Sequence, residues 1–464
     1  MGYRFISETY KITMMTFTVA CLRAELMAGR TTSRALVEQV LERIGQPTYT
    51  SVFAEAALAE ADASDKLRTL GIVRSQIEGL PVSVKDLYDI SGQVTLAGSK
   101  VRESSPPAAV DAPVIARLRA AGAIIVGKTA MTEFAFGGVG TNPHYGTPKN
   151  PWRRDEGGGR VPGGSSSGAA VAVADRTCVM GLGTDTRGSV RIPAALCGVT
   201  GFKPTQSRIE RTGAFPLSYT LDSVGPLANC IADCALFDSI LAGASPPSEA
   251  KAPQPLPIEG LRLMVPKGCF VMEGLDEAVA SSFERTVETL RAAGARIDSI
   301  DCPLFDRAHA LYEGGGFAGP ESFQIHRGSL ETHRELYDPN VANRIALGAK
   351  ASASDYVQLH IDRKQIISEA RALVRPYDAM LLPTVACVAP TIAECDSSAE
   401  TYAKYNLLFL RNTGLINMLD GCAATLPCHR PGTSPVGLMV AGNGGTDEHI
   451  LAASMAIEGA LGRA

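Results

Sequence analysis

The chain has 464 residues and a net charge of −4, from 44 Lys and Arg against 48 Asp and Glu. Hydrophobic residues make up 45% and charged residues 20% of it, which excludes disorder and low complexity for most of the length. The sequence has no basic patch and no run of 18 apolar residues, so we expect neither a nucleic-acid partner nor a membrane span.

The eleven Cys residues are scattered, without the paired spacing of a zinc site. An odd number of Cys and the lack of a signal-peptide pattern favour a reducing, cytoplasmic compartment. We therefore expect no bound metal and interpret Cys230 and Cys234 as small core residues. Met15 is an alternative start, because the helical pattern begins just after it, and residues 1–15 would then be an N-terminal extension.

The first predicted helix begins at Thr32 and Ser33, and its apolar residues recur at helical spacing: Leu36, Val37, Val40, Leu41 and Ile44. A second helix is predicted over residues 53–70, with Gly71 as its C-terminal cap. Residues 80–85 form a predicted strand. Asp111 is expected to cap a third helix that ends at Gly122, and residues 123–126 to form a buried strand.

The letters LRAAGA occur at residues 118–123 and again at 290–295, each time between a predicted helix and a strand. We interpret them as a shared turn. Ser354 is predicted to cap a long helix that runs to Arg375, and late strands are expected at residues 377–382, 422–426 and 436–440. This alternation predicts an α/β fold. The Pro-rich residues 242–257 are either a surface loop or a domain boundary.

Glycine is concentrated in one region: fifteen of the 46 Gly lie between Gly137 and Gly201. Residues 162–168 have the sequence PGGSSSG, and residues 178–193 have the sequence CVMGLGTDTRGSVRIP. A phosphate-binding loop would need a GxxxxGK[ST] or GxGxxG motif, which is missing. Residues 164–168 match the G-x-S-x-G nucleophile elbow, but no strand pattern precedes them.

A third interpretation joins the two glycine loops in one serine site. Backbone N–H groups converge on an oxyanion only where the chain bends tightly, and residues 184–189 offer such a bend after an apolar strand. A nucleophilic serine needs a base. Lys85 would serve if burial lowered its pKa, although a lysine at a strand end is commonly a surface residue.

The blocks GGSSSG, GLGTD and GSVRIPA, at fixed spacing within residues 163–194, resemble the amidase signature family of serine amidases. GLPVSVKD at residues 79–86 and AGAIIVGK at residues 121–128 extend the resemblance, which covers residues 36–461. It implies a single large α/β domain over residues 1–464, with a mostly mixed central sheet flanked by helices on both faces. Residues 242–257 would then be a surface crossing.

The resemblance also implies a catalytic set of Lys85, Ser165 and Ser189, with a cis Gly164–Ser165 peptide. Ser189 would attack the amide carbonyl, and its proton would pass through Ser165 to neutral Lys85. The oxyanion would be held by the backbone N–H groups of Thr186, Arg187, Gly188 and Ser189. Supporting roles are expected for Ser166, Asp185 and Arg191.

Arg187 departs from the family pattern, which usually has Gly or Ala there. Its side chain either points away, toward an acidic neighbour, or enters the pocket and binds a carboxylate or a carbonyl-rich substrate. The variable residues 305–419 are expected to shape the acyl pocket. The candidate substrate-binding residues are Phe134, Phe136, Arg187, Tyr312 and His326.

The predicted function is hydrolysis of the C–N bond in a small carboxamide or ureido substrate through a serine acyl-enzyme, with release of ammonia or an amine. Within the family, the blocks resemble bacterial amidases of the biuret and allophanate type more than they resemble membrane-bound fatty-amide enzymes. We expect no cofactor. The expected binding partner is a small-molecule amide substrate, and a homodimer is the oligomeric state under consideration. The alternatives are a glutaminase A-type subunit of a tRNA-dependent amidotransferase and a catalytically silent scaffold.

Overall fold

The computed structural model describes residues 17–45 and 47–462. Its strands are β1 Tyr49–Val52, β2 Pro81–Lys85, β3 Ile124–Thr129, β4 Met180–Asp185, β5 Thr200–Lys203, β6 Ser223–Ala228, β7 Arg262–Lys267, β8 Arg296–Asp301, β9 Ala379–Pro383, β10 Cys422–Pro427 and β11 Gly437–Gly442. They form one sheet in the order β1, β3, β2, β4, β6, β5, β10, β11, β9, β7 and β8. The sheet therefore joins both halves of the chain.

The helices alternate with these strands along the chain. They are α1 Val19–Met27, α2 Ser33–Arg43, α3 Ala54–Thr69, α4 Pro113–Ala120, α5 Ser167–Ala174, α6 Arg191–Cys197, α7 Ile231–Leu241, α8 Glu277–Ala292, α9 Pro303–Ala310, α10 Ala318–Thr332, α11 Pro339–Leu347, α12 Ala353–Val374, α13 Ile392–Cys395, α14 Ala399–Met418 and α15 Asp447–Ala460. The α/β class predicted from the sequence is confirmed.

The sheet is mixed, as the resemblance implied. The strands β3, β2 and β4 pair in parallel, and so do β9, β7 and β8. The strands from β4 through β6, β5, β10 and β11 to β9 pair antiparallel. Leu438 and Val440 pack into one apolar cluster, while Met439 and Ala441 pack into another. Alternate residues of β11 thus face two cores, so both faces of the sheet are covered.

Most predicted elements lie within a few residues of their observed bounds. Thr32 caps α2, and its hydroxyl accepts a hydrogen bond from the N–H of Ala35 at 3.0 Å. The two LRAAGA segments are the same turn, because each ends a helix at a glycine with positive φ, 90° at Gly122 and 98° at Gly294, before β3 and β8. The three late strands are β9, β10 and β11.

Two predicted helix caps were wrong. Asp111 does not cap α4, because its carboxylate accepts from the N–H of Ser91 at 2.8 Å and pairs with Arg119 at 3.1 Å. Helix α12 is capped by Ser352 and not by Ser354. The Ser352 hydroxyl accepts from the N–H of Asp355, whose carboxylate accepts from the Ser352 N–H in return, because an acidic residue lies three positions after Ser352.

Residues 242–257 connect α7 to β7, and the structure describes them as irregular chain apart from one short turn, Pro247–Glu249. Cys234 is buried and Cys230 is half-buried. In residues 17–45 and 47–462, no helix is long and apolar enough to cross a membrane. The proposed extension at residues 1–15 and the alternative start at Met15 lie outside the described residues.

Candidate functional site

The site begins where two neighbouring strands end at the same edge of the sheet. The strands β2 and β4 pair in parallel, with Val82 opposite Met180 and Val84 opposite Leu182. Lys85 is the last residue of β2, and Asp185 is the last residue of β4. Parallel pairing therefore brings the ends of two distant sequence blocks together, and both side chains are buried.

The Lys85 amine contacts two hydroxyl groups. Its Nζ donates to Ser165 Oγ at 2.8 Å and to Thr184 Oγ1 at 2.9 Å. Burial lowers the pKa of Lys85 to about 7, although the negative charges of Asp222 and Asp185 raise it in part. Lys85 is thus a buried amine with a pKa well below that of an exposed lysine, and not the surface lysine of the alternative interpretation.

The GGSSSG segment leads into helix α5 and places three serines near the end of β4. The Gly164–Ser165 peptide is cis, as the resemblance implied. The N–H of Ser166 donates to the carbonyl of Ser189 at 3.1 Å, and the Ser166 hydroxyl donates to the carbonyl of Thr184 at 3.3 Å. Ser166 therefore ties the two glycine loops together, which brings Ser165 and Ser189 into one site.

Asp185 organises the loop that carries Ser189. Its carboxylate accepts from the N–H groups of Gly188 and Val190 at 2.8 and 3.2 Å and forms a fully buried ion pair with Arg191 at 2.9 Å. Asn417 donates to the same carboxylate at 2.9 Å. Burial raises the pKa of Asp185, but the charge and hydrogen bonds of Arg191 outweigh it and hold the pKa at about 2.

One predicted oxyanion donor is corrected by this network. The Gly188 N–H points at Asp185 Oδ1, so it is not available to an oxyanion. Within the described residues, the backbone N–H groups of Thr186, Arg187 and Ser189 have no hydrogen-bond partner. Gly188 has φ of +125°, and a side chain there would overlap the hydroxyl of Thr413. Glycine at this position serves the bend rather than the oxyanion.

Asp222 fixes Thr186 from the other side of the loop. Its Oδ1 accepts from the Thr186 hydroxyl at 2.5 Å, and its Oδ2 accepts from the N–H groups of Leu217 and Ser218 at 2.9 and 3.0 Å. Burial raises the pKa of Asp222, and the hydrogen bond from Thr186 opposes that shift. Asp222 therefore holds the loop and adds a negative charge near Lys85.

A cavity of about 970 Å³ opens onto Ser189. Thr186 and Arg187 line it beside Ser189, and Phe136 and Tyr312 line its wall. The glycines Gly314, Gly315 and Gly316 and parts of α10, α11, α12 and α14 complete it, so residues 305–419 supply much of the surface, as the sequence predicted. The site thus faces a space large enough for a small organic substrate.

Arg187 enters this cavity instead of pointing to an acidic neighbour. Its guanidinium lies over the Tyr312 ring, 3.8 Å from the centroid, and its Nε is buried without a hydrogen-bond partner. In the part of the chain that the structure describes, it forms no ion pair with a carboxylate. The pocket-facing hypothesis is therefore the one that agrees with the geometry.

Phe134 and His326 do not line the cavity, which corrects two predicted substrate contacts. Both are buried in an aromatic cluster with Phe215 and Tyr337, and the rings of Phe134 and His326 are 4.3 Å apart. His326 Nδ1 lies 3.2 Å from the Tyr337 hydroxyl. Burial lowers the pKa of His326 to about 4, so it is a neutral packing residue behind the wall.

Four residues of the site were missed by the sequence reasoning. Thr184 lies inside the GLGTD block beside Asp185, so its position was a usable signal. Asp222 lies within residues 36–461, which the resemblance covers, but it had no assigned role. Asn417 and Arg344, an arginine that lines the cavity, gave no signal, because they come from helices far beyond the motif in the chain.

The chain is similar to known proteins over most of its length. The profile of the amidase family matches residues 35–451. A 2-amino-5-chloromuconic acid deaminase from Comamonas testosteroni is 36% identical over 409 residues, which cover 88% of this chain and 87% of that protein. The A-type subunit of glutamyl-tRNA(Gln) amidotransferase from a Synechococcus species is 32% identical over 462 residues, which cover 92% of both chains.

Solved structures share the whole architecture. A crystal structure of an amidase superposes with a TM-score of 0.84 at 33% identity and covers 95% of this chain and 99% of that chain. A chain from a vestigial protein complex, solved to explain the origins of an s-triazine catabolic enzyme, also has a TM-score of 0.84, at 28% identity, over 95% and 98% of the two chains. The protein described here therefore belongs to the amidase signature family and is a hydrolase that acts on amide C–N bonds.

Proposed function

We propose that this chain hydrolyses a small carboxamide or ureido substrate through an acyl-enzyme on Ser189, with Ser165 and Lys85 as the proton relay. The observation that carries the proposal is the buried Lys85 amine, which donates to Ser165 Oγ at 2.8 Å in the same site as Ser189. A lysine whose pKa is about 7 exists largely as the free base at slightly alkaline pH. A neutral amine is what a serine nucleophile needs as a base.

In the acylation step, Ser189, Ser165 and Lys85 act one after another. The amide enters the cavity with its carbonyl carbon next to Ser189 Oγ. Ser189 Oγ attacks this carbon. At the same time the Ser189 hydroxyl proton passes to Ser165, and the Ser165 hydroxyl proton passes to Lys85. The negative charge develops on the carbonyl oxygen, where the N–H groups of Thr186, Arg187 and Ser189 donate to it. The tetrahedral intermediate then breaks its C–N bond, and the proton returns from Lys85 to the leaving nitrogen.

Deacylation repeats the relay with water. The ester carbonyl is attacked by a water that loses its proton through Ser165 to Lys85, and the C–O bond to Ser189 breaks. The acid leaves, and the proton returns to Ser189 Oγ. Each step conserves the charge of the site, so no metal or cofactor is required by the proposal.

A small substrate is supported by the family comparison as well as by the cavity. The Comamonas testosteroni relative is named for a deaminase of 2-amino-5-chloromuconic acid, which is a small acid. The cavity of about 970 Å³ has room for a molecule of that size. Release of ammonia or a small amine fits both observations.

A second candidate is a glutaminase subunit that supplies ammonia to a partner. It is favoured by the relatives that are A-type amidotransferase subunits, of which one covers 92% of this chain at 32% identity. The two candidates share their chemistry and differ in dependence on a partner. Hydrolysis of free glutamine that becomes substantial only when amidotransferase partner subunits are added would favour the second candidate.

The test is ammonia release from a panel of aliphatic amides, ureas and glutamine by the purified chain. Ser189→Ala is the test variant, and Ser454→Ala, a buried serine of helix α15, is the matched control. We expect the control to keep the wild-type rate and Ser189→Ala to fall to background. Equal turnover by Ser189→Ala and wild type would refute the assignment of Ser189. No turnover of any compound, with or without a partner, would support the silent-scaffold alternative.

A further inference from the structure

The cavity next to Ser189 contains two arginines without a carboxylate partner. Arg187 and Arg344 both line it. Arg187 lies over the Tyr312 ring, and Arg344 lies over the Phe136 ring with 4.6 Å between its guanidinium carbon and the centroid. In the described residues, neither guanidinium has a carboxylate within 4 Å.

Both guanidinium groups keep unused hydrogen-bond donors. Arg344 donates from Nη1 to the carbonyl of Phe136 at 2.8 Å, and no other hydrogen bond of its guanidinium to the described residues is found. Arg187 has no side-chain hydrogen bond to those residues, and its Nε is buried. An arginine carries five N–H donors in a planar fork that matches a carboxylate. The two side chains therefore present donors to the cavity that the protein does not satisfy.

The position of Arg187 is built by its surroundings. The Tyr312 hydroxyl donates to the carbonyl of Gly414 at 2.8 Å, and the Thr413 hydroxyl donates to the carbonyl of Arg187 at 2.8 Å. A Cβ on Gly414 would lie 2.9 Å from Arg187 Cγ and 3.0 Å from its Nε. Glycine at position 414 thus leaves the space that the arginine occupies against Tyr312.

The acidic residues of the cavity do not neutralise these arginines. Glu313 and Asp355 lie on exposed positions at its rim. The Asp355 carboxylate is used in the cap of α12, where it accepts from the N–H and hydroxyl of Ser352 at 3.2 and 2.7 Å. The inner wall is positive, while the negative charges are at the solvent edge.

Two like charges in one partly dry cavity are unfavourable without an anion. Burial lowers the pKa of both arginines, and the charge of Arg344 lowers the pKa of Arg187 further. A bound carboxylate would compensate both positive charges and accept hydrogen bonds from the unused guanidinium N–H groups. The arrangement therefore has the properties of an anion site in its unbound form.

We propose that Arg187 and Arg344 form a carboxylate-binding subsite in the acyl pocket, and that the amide hydrolysed at Ser189 carries a carboxylate on its acyl part. The proposal rests on the proposed function. Arg187 is two residues from Ser189, so the carboxylate is expected within a few bonds of the scissile carbonyl. Monoamides of short dicarboxylic acids are the simplest compounds with this pattern.

The first experiment compares kcat/KM for the monoamides of C3 to C6 dicarboxylic acids with that for neutral amides of equal chain length. We expect the wild type to favour at least one acid monoamide over its neutral counterpart by more than about tenfold, as a charge-assisted bidentate contact allows. Arg187→Gln and Arg344→Gln should each reduce that ratio by about tenfold or more. The control Lys350→Gln removes an exposed cation at the cavity mouth and should change the ratio less than about threefold.

The second experiment measures binding without turnover. Ser189→Ala is titrated with succinate, glutarate and adipate by calorimetry, alone and in combination with Arg187→Gln. We expect one dicarboxylate to bind Ser189→Ala and its affinity to fall about tenfold or more in the double variant.

The outcomes separate the two proposals. Binding of a dicarboxylate that depends on Arg187, without hydrolysis of any amide, would keep the subsite and refute the proposed function. Amide hydrolysis with no preference for acid monoamides, or an equal loss of both substrate types in Arg187→Gln, would refute the subsite and keep the proposed function. Circular dichroism of each variant identifies a loss that is due to misfolding, and Arg187→Lys, which keeps the charge, should then restore part of the ratio.

Discussion

The Lys85 amine donates to the hydroxyl of Ser165 at 2.8 Å, although 80 residues separate the two in the chain. One residue ends strand β2, and the other precedes helix α5. Burial lowers the pKa of Lys85 to about 7. Its Nζ donates hydrogen bonds to the hydroxyls of Ser165 and Thr184. Burial thus favours the neutral amine, and the contact directs that amine at Ser165, which are the two properties that a proton relay needs.

The pH dependence of activity follows from this pKa. Because Lys85 is proposed to act as a neutral base, kcat/KM should fall as the pH drops through about 7, by tenfold per unit well below that value. The measurement is the pH profile of ammonia release between pH 5.5 and 9.5. A rate that keeps rising tenfold per unit up to pH 9.5 would indicate an ordinary lysine and contradict the account.

Replacement of Asp222 should shift the pH profile of kcat/KM. The negative charge of Asp222 raises the pKa of Lys85, so Asp222→Asn is expected to move the inflection of the kcat/KM profile to lower pH, by up to about one unit for two charges partly screened by protein. The variant also weakens the hold on Thr186, so the plateau rate should fall as well. A profile whose inflection stays in place, or moves to higher pH, would exclude Asp222 as an electrostatic partner of Lys85.

The ion pair of Asp185 and Arg191 should dominate the stability of the loop. Both side chains are fully buried, so Asp185→Asn leaves a buried guanidinium without its partner charge and should lower the free energy of unfolding by about 3–5 kcal/mol. Urea unfolding at pH 7 measures this change in the free energy of unfolding. The control is Glu25→Gln, which breaks an exposed ion pair with Arg30 and should leave the unfolding midpoint unchanged. An equal midpoint in both variants would contradict the prediction.

Gly414 tests the placement of Arg187. Alanine in a helix interior normally stabilises a protein by about 0.5–1 kcal/mol relative to glycine, and Gly328→Ala in helix α10 should show that gain because nothing lies within 4 Å of its added Cβ. Gly414→Ala should not, since the new Cβ meets Arg187. Its kcat/KM on acid monoamides should also fall. A stability gain equal to that of Gly328→Ala would mean that Arg187 does not occupy this space.

The sequence predicted the elements and the motif residues of the site because both depend on local patterns. The resemblance carried by GGSSSG, GLGTD, GSVRIPA and the earlier block GLPVSVKD implied Lys85, Ser165 and Ser189 as one set. The strand end at Lys85 followed from an apolar run, and an apolar strand was expected before the bend at residues 184–189. The prediction at Asp111 failed because its carboxylate contacts Ser91 and Arg119 instead of the helix end. The prediction at Ser354 failed because Ser352, two residues earlier, forms the capping box with Asp355.

The pocket could not be predicted in the same way. Arg187 was identified as unusual from the motif, but its direction depends on Tyr312 and Gly414, which lie more than 120 residues away in sequence. Phe134 and His326 are residue types that commonly line pockets, yet their rings pack on each other behind the cavity wall. The Gly188 N–H was an expected oxyanion donor until the carboxylate of Asp185 was found beside it. Each of these outcomes depends on long-range packing.

The most direct test of the account is peptide mass spectrometry of the enzyme quenched with acid during turnover of its best amide. The account predicts an added acyl mass on the peptide that contains Ser189, lost in Ser189→Ala and accumulated to a higher level when deacylation is slowed. An acyl group on another residue, or full turnover by Ser189→Ala without any adduct, would contradict it.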